Sequence, residues 1–136
     1  MNLLHRWYCR SGAWARKLQG AMMPWALEGV ELGEDVLEIG SGPGLSTDWL
    51  RAKVSRLTSI EIDDRLAASL QQRLGGTNVT VVEGDATDMS FPDASFSTVV
   101  CFTMCLPPNC RIGCWQRPFV SCGRAVSSPA LTARLT

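Results

Sequence analysis

The stretch "DVLEIGSGPGLSTDWL", residues 35–50, constrains the fold of this chain more than any other. A short apolar run, Val36 to Ile39, ends at Gly40 and reads as a buried strand. Helical spacing follows at once, with Leu45, Trp49 and Leu50 on one face. A strand that turns through glycines into a helix is the first half of a βαβ unit, and it commits the neighbouring strands to run parallel. The rest of the chain keeps that rhythm. "RLTSIEID" reads as a second strand and "DRLAASLQQRLGG" as a second helix, stopped by Gly75-Gly76. "NVTVVEGDA" is a third strand, and "FPDASFSTVVCF" a turn and a fourth strand rich in β-branched residues. The fold class is therefore α/β, a doubly wound and mainly parallel sheet with right-handed crossovers.

Ahead of the first strand, Leu4, Trp7 and Tyr8, then Trp14 and Leu18, fall near helical spacing with Arg and Lys between them. An amphipathic helix or helix pair packed on the domain is expected there, punctuated by Gly20 and Pro24. The expected organisation is an N-terminal helical segment at 1–35, a half-domain at 36–104 and a tail of different character at 105–136. The whole length suits one modest core. No stretch approaches the roughly 18 to 20 apolar residues that span a bilayer, and charges interrupt the N-terminus where a secretory segment needs an apolar run. A cytoplasmic location with reduced thiols is expected.

Charge and cysteine bear on partners. The 13 basic and 13 acidic residues cancel, so no global field recruits nucleic acid or an anionic membrane, and no nucleic-acid partner is expected. Five of the six cysteines (Cys101, Cys105, Cys110, Cys114 and Cys122) crowd the last third. They contain no C-x-x-C pair, and the single histidine, His5, is at the other end, so no metal is expected.

Ligands of open α/β sheets bind beyond the carboxyl ends of the strands, which makes the Gly40–Gly44 loop the candidate site. Its spacing is G-x-G-x-G rather than the G-x-G-x-x-G of dinucleotide sites, and Pro43 removes one backbone donor. Such a loop is a poor phosphate cradle but suits an uncharged ribose and an amino-acid moiety; the alternative is a plain strand-to-helix turn. Glu61 closes the second strand, 21 positions on (61 − 40), at a distance where a carboxylate grips vicinal ribose hydroxyls. Asp63 and Asp64 read as caps of the second helix. Asp85, at the end of the third strand, can accept from an exocyclic amine.

Together, "VLEIGSGPG", "SIEIDDRL" and "VVEGDATDMSFPDASFSTVV" resemble the class I S-adenosylmethionine-dependent methyltransferases, in particular the small-molecule branch that includes ubiquinone and menaquinone C-methyltransferases. The resemblance covers about residues 36–104. It implies a Rossmann-like sheet in the order 3-2-1-4 and S-adenosyl-L-methionine as cofactor, with an unknown small-molecule acceptor. It also implies that Gly40, Ser41, Gly42 and Gly44 lie along the methionine part and ribose, that Glu61, followed by Ile62, takes the ribose hydroxyls, and that Asp85 and Ala86 meet the adenine. Glu38 matches the acidic position linked to the cofactor's amino group. One departure is "SFS" at 95–97, where family members often have "SFD". No residue is nominated as a catalytic base.

The same resemblance implies a further helix, a segment like "RVLRPGG" and a fifth strand after "CFTM", and the residues as written hold none of these. A frame that starts at the third base of each codon can instead read "NCRIGCWQRPFVSCGRAVS", residues 109–127, as "LQDRLLAEAFRVLRPGGVF". The tail from about Cys105 is therefore expected to be an out-of-frame translation from a frameshift, a sequencing error or a pseudogene. The fourth strand is then expected to present an exposed apolar edge. The chain would be a methyltransferase by lineage, a non-catalytic S-adenosylmethionine-binding fragment, or a non-functional truncated product.

Overall fold

The computed structural model describes residues 11–92, 94–102 and 120–121. In chain order the elements are α1 (Gly12–Lys17), a π-helical stretch (Leu18–Met22), α2 (Met23–Ala26), β1 (Asp35–Ile39), α3 (Leu45–Leu50), β2 (Arg56–Glu61), α4 (Asp64–Leu74), β3 (Val79–Glu83), β4 (Thr98–Cys101) and β5 (Val120–Ser121). One sheet forms in the order β3-β2-β1-β4-β5. The first four strands pair in parallel, and β5 is antiparallel to β4. The α/β class and the 3-2-1-4 order are those expected from the sequence.

β1 is buried along Val36, Leu37 and Glu38 because both sheet faces are covered. Strand alternation sends Val36, Leu57 and Val100 to one face, where they pack with Leu18, Met23, Leu27 and Leu50. Trp14, Leu45 and Trp49 close over the edge of this cluster. Leu37 and Ile60 are buried on the other face, on the side of α4, which buries Ala67, Leu70 and Leu74.

Local chemistry explains the element ends. Ser11 caps α1 by accepting the Trp14 N–H at 3.2 Å. Asp63 caps α4, its Oδ1 accepting the N–H groups of Arg65 and Leu66 at 3.1 Å each, as the sequence suggested. Pro24 follows the π-helical stretch and sits in the first turn of α2, where its missing N–H costs least. The Asn78 side chain donates to the carbonyls of Arg51 and Val54, both at 2.9 Å, and so ties the start of β3 to the α3–β2 connection.

The backbone differs from the sequence reading at the β4 edge. Val99 and Val100 pair with Ser121 and Val120, so part of the edge expected to be bare is covered. Two extended residues suffice, because the edge offers a row of backbone donors and acceptors to any extended segment. The remainder of the tail expected to be out of frame lies outside the described residues, as do His5 and the apolar positions Leu4, Trp7 and Tyr8.

Leu57 is 1% exposed at the centre of this core. Leu57→Ala is expected to lower unfolding free energy by about 2–5 kcal/mol, as cavity-forming leucine truncations do. Urea melts of both proteins measure it, and a loss inside experimental error would show that the cluster does not hold the sheet together.

Candidate functional site

The glycine loop begins as a continuation of the sheet. The Gly40 N–H donates to the Ile60 carbonyl at 2.9 Å, carrying the β1–β2 ladder one residue past the strand. The chain then turns: the Gly44 N–H donates to the Ser41 carbonyl at 2.9 Å, and the Asp48 N–H donates to the Gly44 carbonyl at 3.0 Å, which starts α3. Gly44 has φ +85°, and a Cβ there would collide with Leu70 and with the Arg73 guanidinium. Gly42, at φ +54°, is the opposite case, since a Cβ on it would meet nothing within 4 Å. One glycine is packed against the scaffold, and the other presents open backbone.

Glu61 lies at the end of β2 and is 7% exposed. Its Oε2 accepts the Gly42 N–H at 2.6 Å and its Oε1 accepts the Asp63 N–H at 3.0 Å. The carboxylate thus bridges the glycine loop and the start of α4, and each oxygen keeps a lone pair for a further donor. Ile62, the next residue, is 69% exposed. The third strand end is joined to the second by the Gly84 N–H, which donates to the Glu61 carbonyl at 3.0 Å. Just beyond, Asp85 is exposed, and its Oδ1 accepts both the N–H and the hydroxyl of Thr87 at 2.8 Å. These two bonds hold its carboxyl below the usual range. Ala86 beside it is half-buried. The structure therefore brings Gly42 and Glu61 into direct contact and places Ile62, Asp85 and Ala86 along the same sheet end.

Glu38 has different surroundings. It is 1% exposed and projects to the α3 side of the sheet, where Ser46 Oγ donates to its Oε1. Its Oε2 accepts the hydroxyls of Thr47 at 2.6 Å and Ser59 at 3.1 Å. Burial pushes its carboxyl above the ordinary value, against the opposing pull of the three hydroxyl donors. Those hydroxyl partners were not singled out from the sequence. The available signal was three small polar residues on elements that otherwise bury apolar side chains.

A second feature missed by sequence reasoning braces the loop from outside. Arg73 of α4 donates from Nη1 to both carboxylate oxygens of Asp48, at 2.9 and 2.7 Å, and from Nη2 to the Pro43 carbonyl at 3.4 Å. Arg51 also donates to Asp48, at 3.2 Å. These groups are partly exposed, so the brace contributes orientation more than stability.

The site leaves polar groups unmatched. Ser41 Oγ is buried without a hydrogen-bond partner among the described residues, and a buried hydroxyl of that kind calls for one. With the open face of Gly42 and the remaining lone pairs of Glu61, it fits a nucleoside joined to an amino acid.

Comparison with known proteins agrees with that chemistry. Residues 36–116, more than half of the chain, match the methyltransferase domain family. The chain belongs to that family. The match runs past Met104, where the resemblance read from the sequence ended. A probable ribosomal RNA small subunit methyltransferase A from Haloarcula marismortui is 42% identical over 66 residues, 46% of this chain and 23% of that protein. Among solved structures, the 23S rRNA methyltransferase ErmE is 34% identical with a TM-score of 0.50, covering 68% of this chain and 35% of that one. An S-adenosylmethionine-bound amino pentose methyltransferase from Micromonospora echinaspora has a TM-score of 0.57 at 16% identity, covering 76% of this chain and 42% of that one, and shows the shared fold. This methyltransferase-domain chain spans about a quarter of the length of the curated relatives it matches.

S-adenosyl-L-methionine, expected from the sequence, is the cofactor that family membership supports. The expectation of no nucleic-acid partner is overturned, because the matched relatives are named for ribosomal RNA methylation. The formal charge was a poor guide: it averages over the segment and says nothing about local basic faces. No helix among the described residues is long and apolar enough to cross a membrane.

The raised Glu38 carboxyl gives a signed pH prediction. Its unfolded value is near 4.5 and its folded value lies above that. Between the two, the folded protein holds a proton that the unfolded chain releases, so this group's stabilisation is lost as pH rises through the folded value. Glu38→Gln cannot titrate. Wild-type stability minus variant stability is therefore expected to fall as pH rises above 4.5 and to level off once the folded value is passed. Urea melts across that range test it; a difference independent of pH would contradict the assignment.

Proposed function

We propose that this chain binds S-adenosyl-L-methionine across the carboxyl ends of β1, β2 and β3, as the cofactor-binding part of an RNA methyltransferase. The observation that carries the reading is the 2.6 Å bond from the Gly42 N–H to Glu61 Oε2, which sets an open glycine backbone beside a buried carboxylate. In this reading Gly40, Ser41, Gly42 and Gly44 run along the methionine part and ribose. Glu61 receives the ribose hydroxyls on its remaining lone pairs. The uncovered side chain of Ile62 offers an apolar surface to the adenine, and Asp85, ionised and steadied by Thr87, accepts from the exocyclic amine beside Ala86.

When bound, the cofactor supplies an activated methyl group on a sulfonium, whose departure needs no help from an acid. The chain's own part is to hold and orient. An RNA acceptor is supported by the ribosomal RNA methyltransferases that match at 34% identity and above. The small-molecule acceptor expected from the resemblance has structural neighbours of 16% and 21% identity, which speak for the fold alone. The half-domain expected at 36–104, with the helices between Gly12 and Ala26 packed on it, is the unit that carries this role.

Isothermal titration of the purified chain with S-adenosylhomocysteine tests the reading, with saturable binding as the expected result. Glu61→Ala is expected to weaken that binding by at least about tenfold, since two charge-assisted bonds to the ribose are lost. Unchanged affinity in a folded variant would remove Glu61 from the site. Labelled methyl transfer to ribosomal RNA, measured against a small-molecule extract, then decides the acceptor.

A further inference from the structure

The helices ahead of β1 lie outside the matched residues 36–116, and their outer face has no part in the site described above. α1, the π-helical stretch and α2 follow one another without a break from Gly12 to Ala26 and form one helical run. Its inner side buries Leu18 and Met23 in the core with Val36, Leu57 and Val100. Its outer side exposes Arg16 and Lys17, then Gly20 and Ala21, then Pro24 and Trp25. Trp25 is 63% exposed, and the other large apolar side chain so open among the described residues, Ile62, already belongs to the cofactor reading.

The π turn decides which of these residues share a line. In an α-helix eight residues rotate roughly 80° beyond two full turns, which would carry Trp25 around the rod from Lys17. Here the Met23 N–H donates to the Leu18 carbonyl, five residues back, and a turn of that kind winds less per residue. The excess rotation is taken up. Lys17, Ala21 and Trp25 then stand in one exposed row, with Arg16, Gly20 and Pro24 beside it. π turns inside helices are frequent at functional sites.

The chemistry of the two rows selects a partner. No acidic residue occurs from Ser11 to Leu27, and Glu28 marks the end of the face. Arg16 and Lys17 take part in no ion pair among the described residues, where the paired cations are Arg51, Arg56 and Arg73. Two uncompensated cations, a low floor of small residues and an open indole suit a polyanion that carries flat rings. Single-stranded RNA is such a polyanion: its phosphates seek Arg and Lys, and its unpaired bases stack on aromatic side chains. A bilayer surface would instead need a broad apolar face, and the apolar face of this run is buried in the core. The run is also tied to the site, because Gln19 Nε2 donates at 2.8 Å to the carbonyl of Leu45, the first residue after the glycine loop.

We propose that the outer face of the Gly12–Ala26 run is a docking surface for single-stranded RNA, with Arg16 and Lys17 on the phosphates and Trp25 stacked against a base. This rests on the RNA reading above and adds to it a surface outside the matched domain.

Fluorescence anisotropy of the full chain with a fluorescein-labelled oligoadenylate tests this, with the melting temperature of each variant read alongside. Wild type is expected to bind with an affinity that falls as salt rises. Trp25→Ala is expected to weaken binding by about tenfold, as the loss of one stacked base does, and Trp25→Phe to keep most of it. Arg16→Ala and Lys17→Ala are each expected to reduce the slope of log affinity against log salt by roughly 0.7–1. Lys53→Ala removes the same charge ahead of β2, where Lys53 lies 4.4 Å from the centroid of the Trp49 ring, and is expected to leave affinity and slope unchanged. The substituted side chains are all exposed, so the melting temperatures are expected to match wild type. RNA binding that Trp25→Ala and Lys17→Ala leave untouched, or that Lys53→Ala weakens equally, would overturn the surface and leave the RNA reading standing. A wild-type chain that binds no RNA would overturn both, and binding to anionic phospholipid vesicles in its place would assign the face to membranes.

Discussion

Because β1 and β2 run parallel and in step, from Asp35 opposite Arg56 to Ile39 opposite Ile60, both chains leave the sheet at the same end. An antiparallel pairing would have sent Gly40 and Glu61 to opposite ends of the molecule. The parallel ladder continues through the Gly40 N–H and is repeated between β2 and β3, where Glu61 stands opposite Glu83. Three strand ends then converge without any long loop having to be ordered. The geometry of the site is a consequence of strand direction before it is a consequence of any side chain.

The carboxylates near this end are treated differently by their surroundings. Glu38 is enclosed and answered by hydroxyls alone, so its charge is tolerated rather than welcomed. Glu61 is nearly as buried, but backbone N–H groups meet both of its oxygens, and those donors cannot rotate away. Asp85 is in solvent and steadied by one neighbouring threonine. Interior hub, loop bridge and surface acceptor are thus distinct roles for one functional group.

Much of this was legible in the sequence because strands and turns write themselves locally. The apolar strand runs, the glycine spacing, the cap at Asp63 and the carboxylate at the end of β2 all depend on residues close in the chain. What escaped notice depends on residues far apart. Ser59 meets Glu38 across 21 positions (59 − 38), and Arg73 meets the Pro43 carbonyl across 30 (73 − 43). Neither pair has a periodic signature, because a hydroxyl or guanidinium in its own segment reads as an ordinary polar position. The β4 edge escaped for a related reason: backbone pairing by Val120–Ser121 requires only an extended chain, which composition does not announce. The expectation of no nucleic-acid partner leaned on net charge, which is a sum, and a sum has no geography.

The strand order also bears on how the chain acquires its structure. β1 and β2 are 21 residues apart where they pair (56 − 35), and β2 and β3 are 22 apart (79 − 57). β4 must travel back across 62 residues (98 − 36) to lie against the other side of β1. Closing that larger loop costs roughly 1 kcal/mol more than closing either shorter one, and distant pairings form slowly. The segment from β1 to β3 is therefore the natural nucleus, with β4 docking onto it afterwards. Until it docks, the β4-facing edge of β1 is open to a strand from another molecule as readily as to its own, so crowding at high concentration during refolding acts on the middle of the finished sheet.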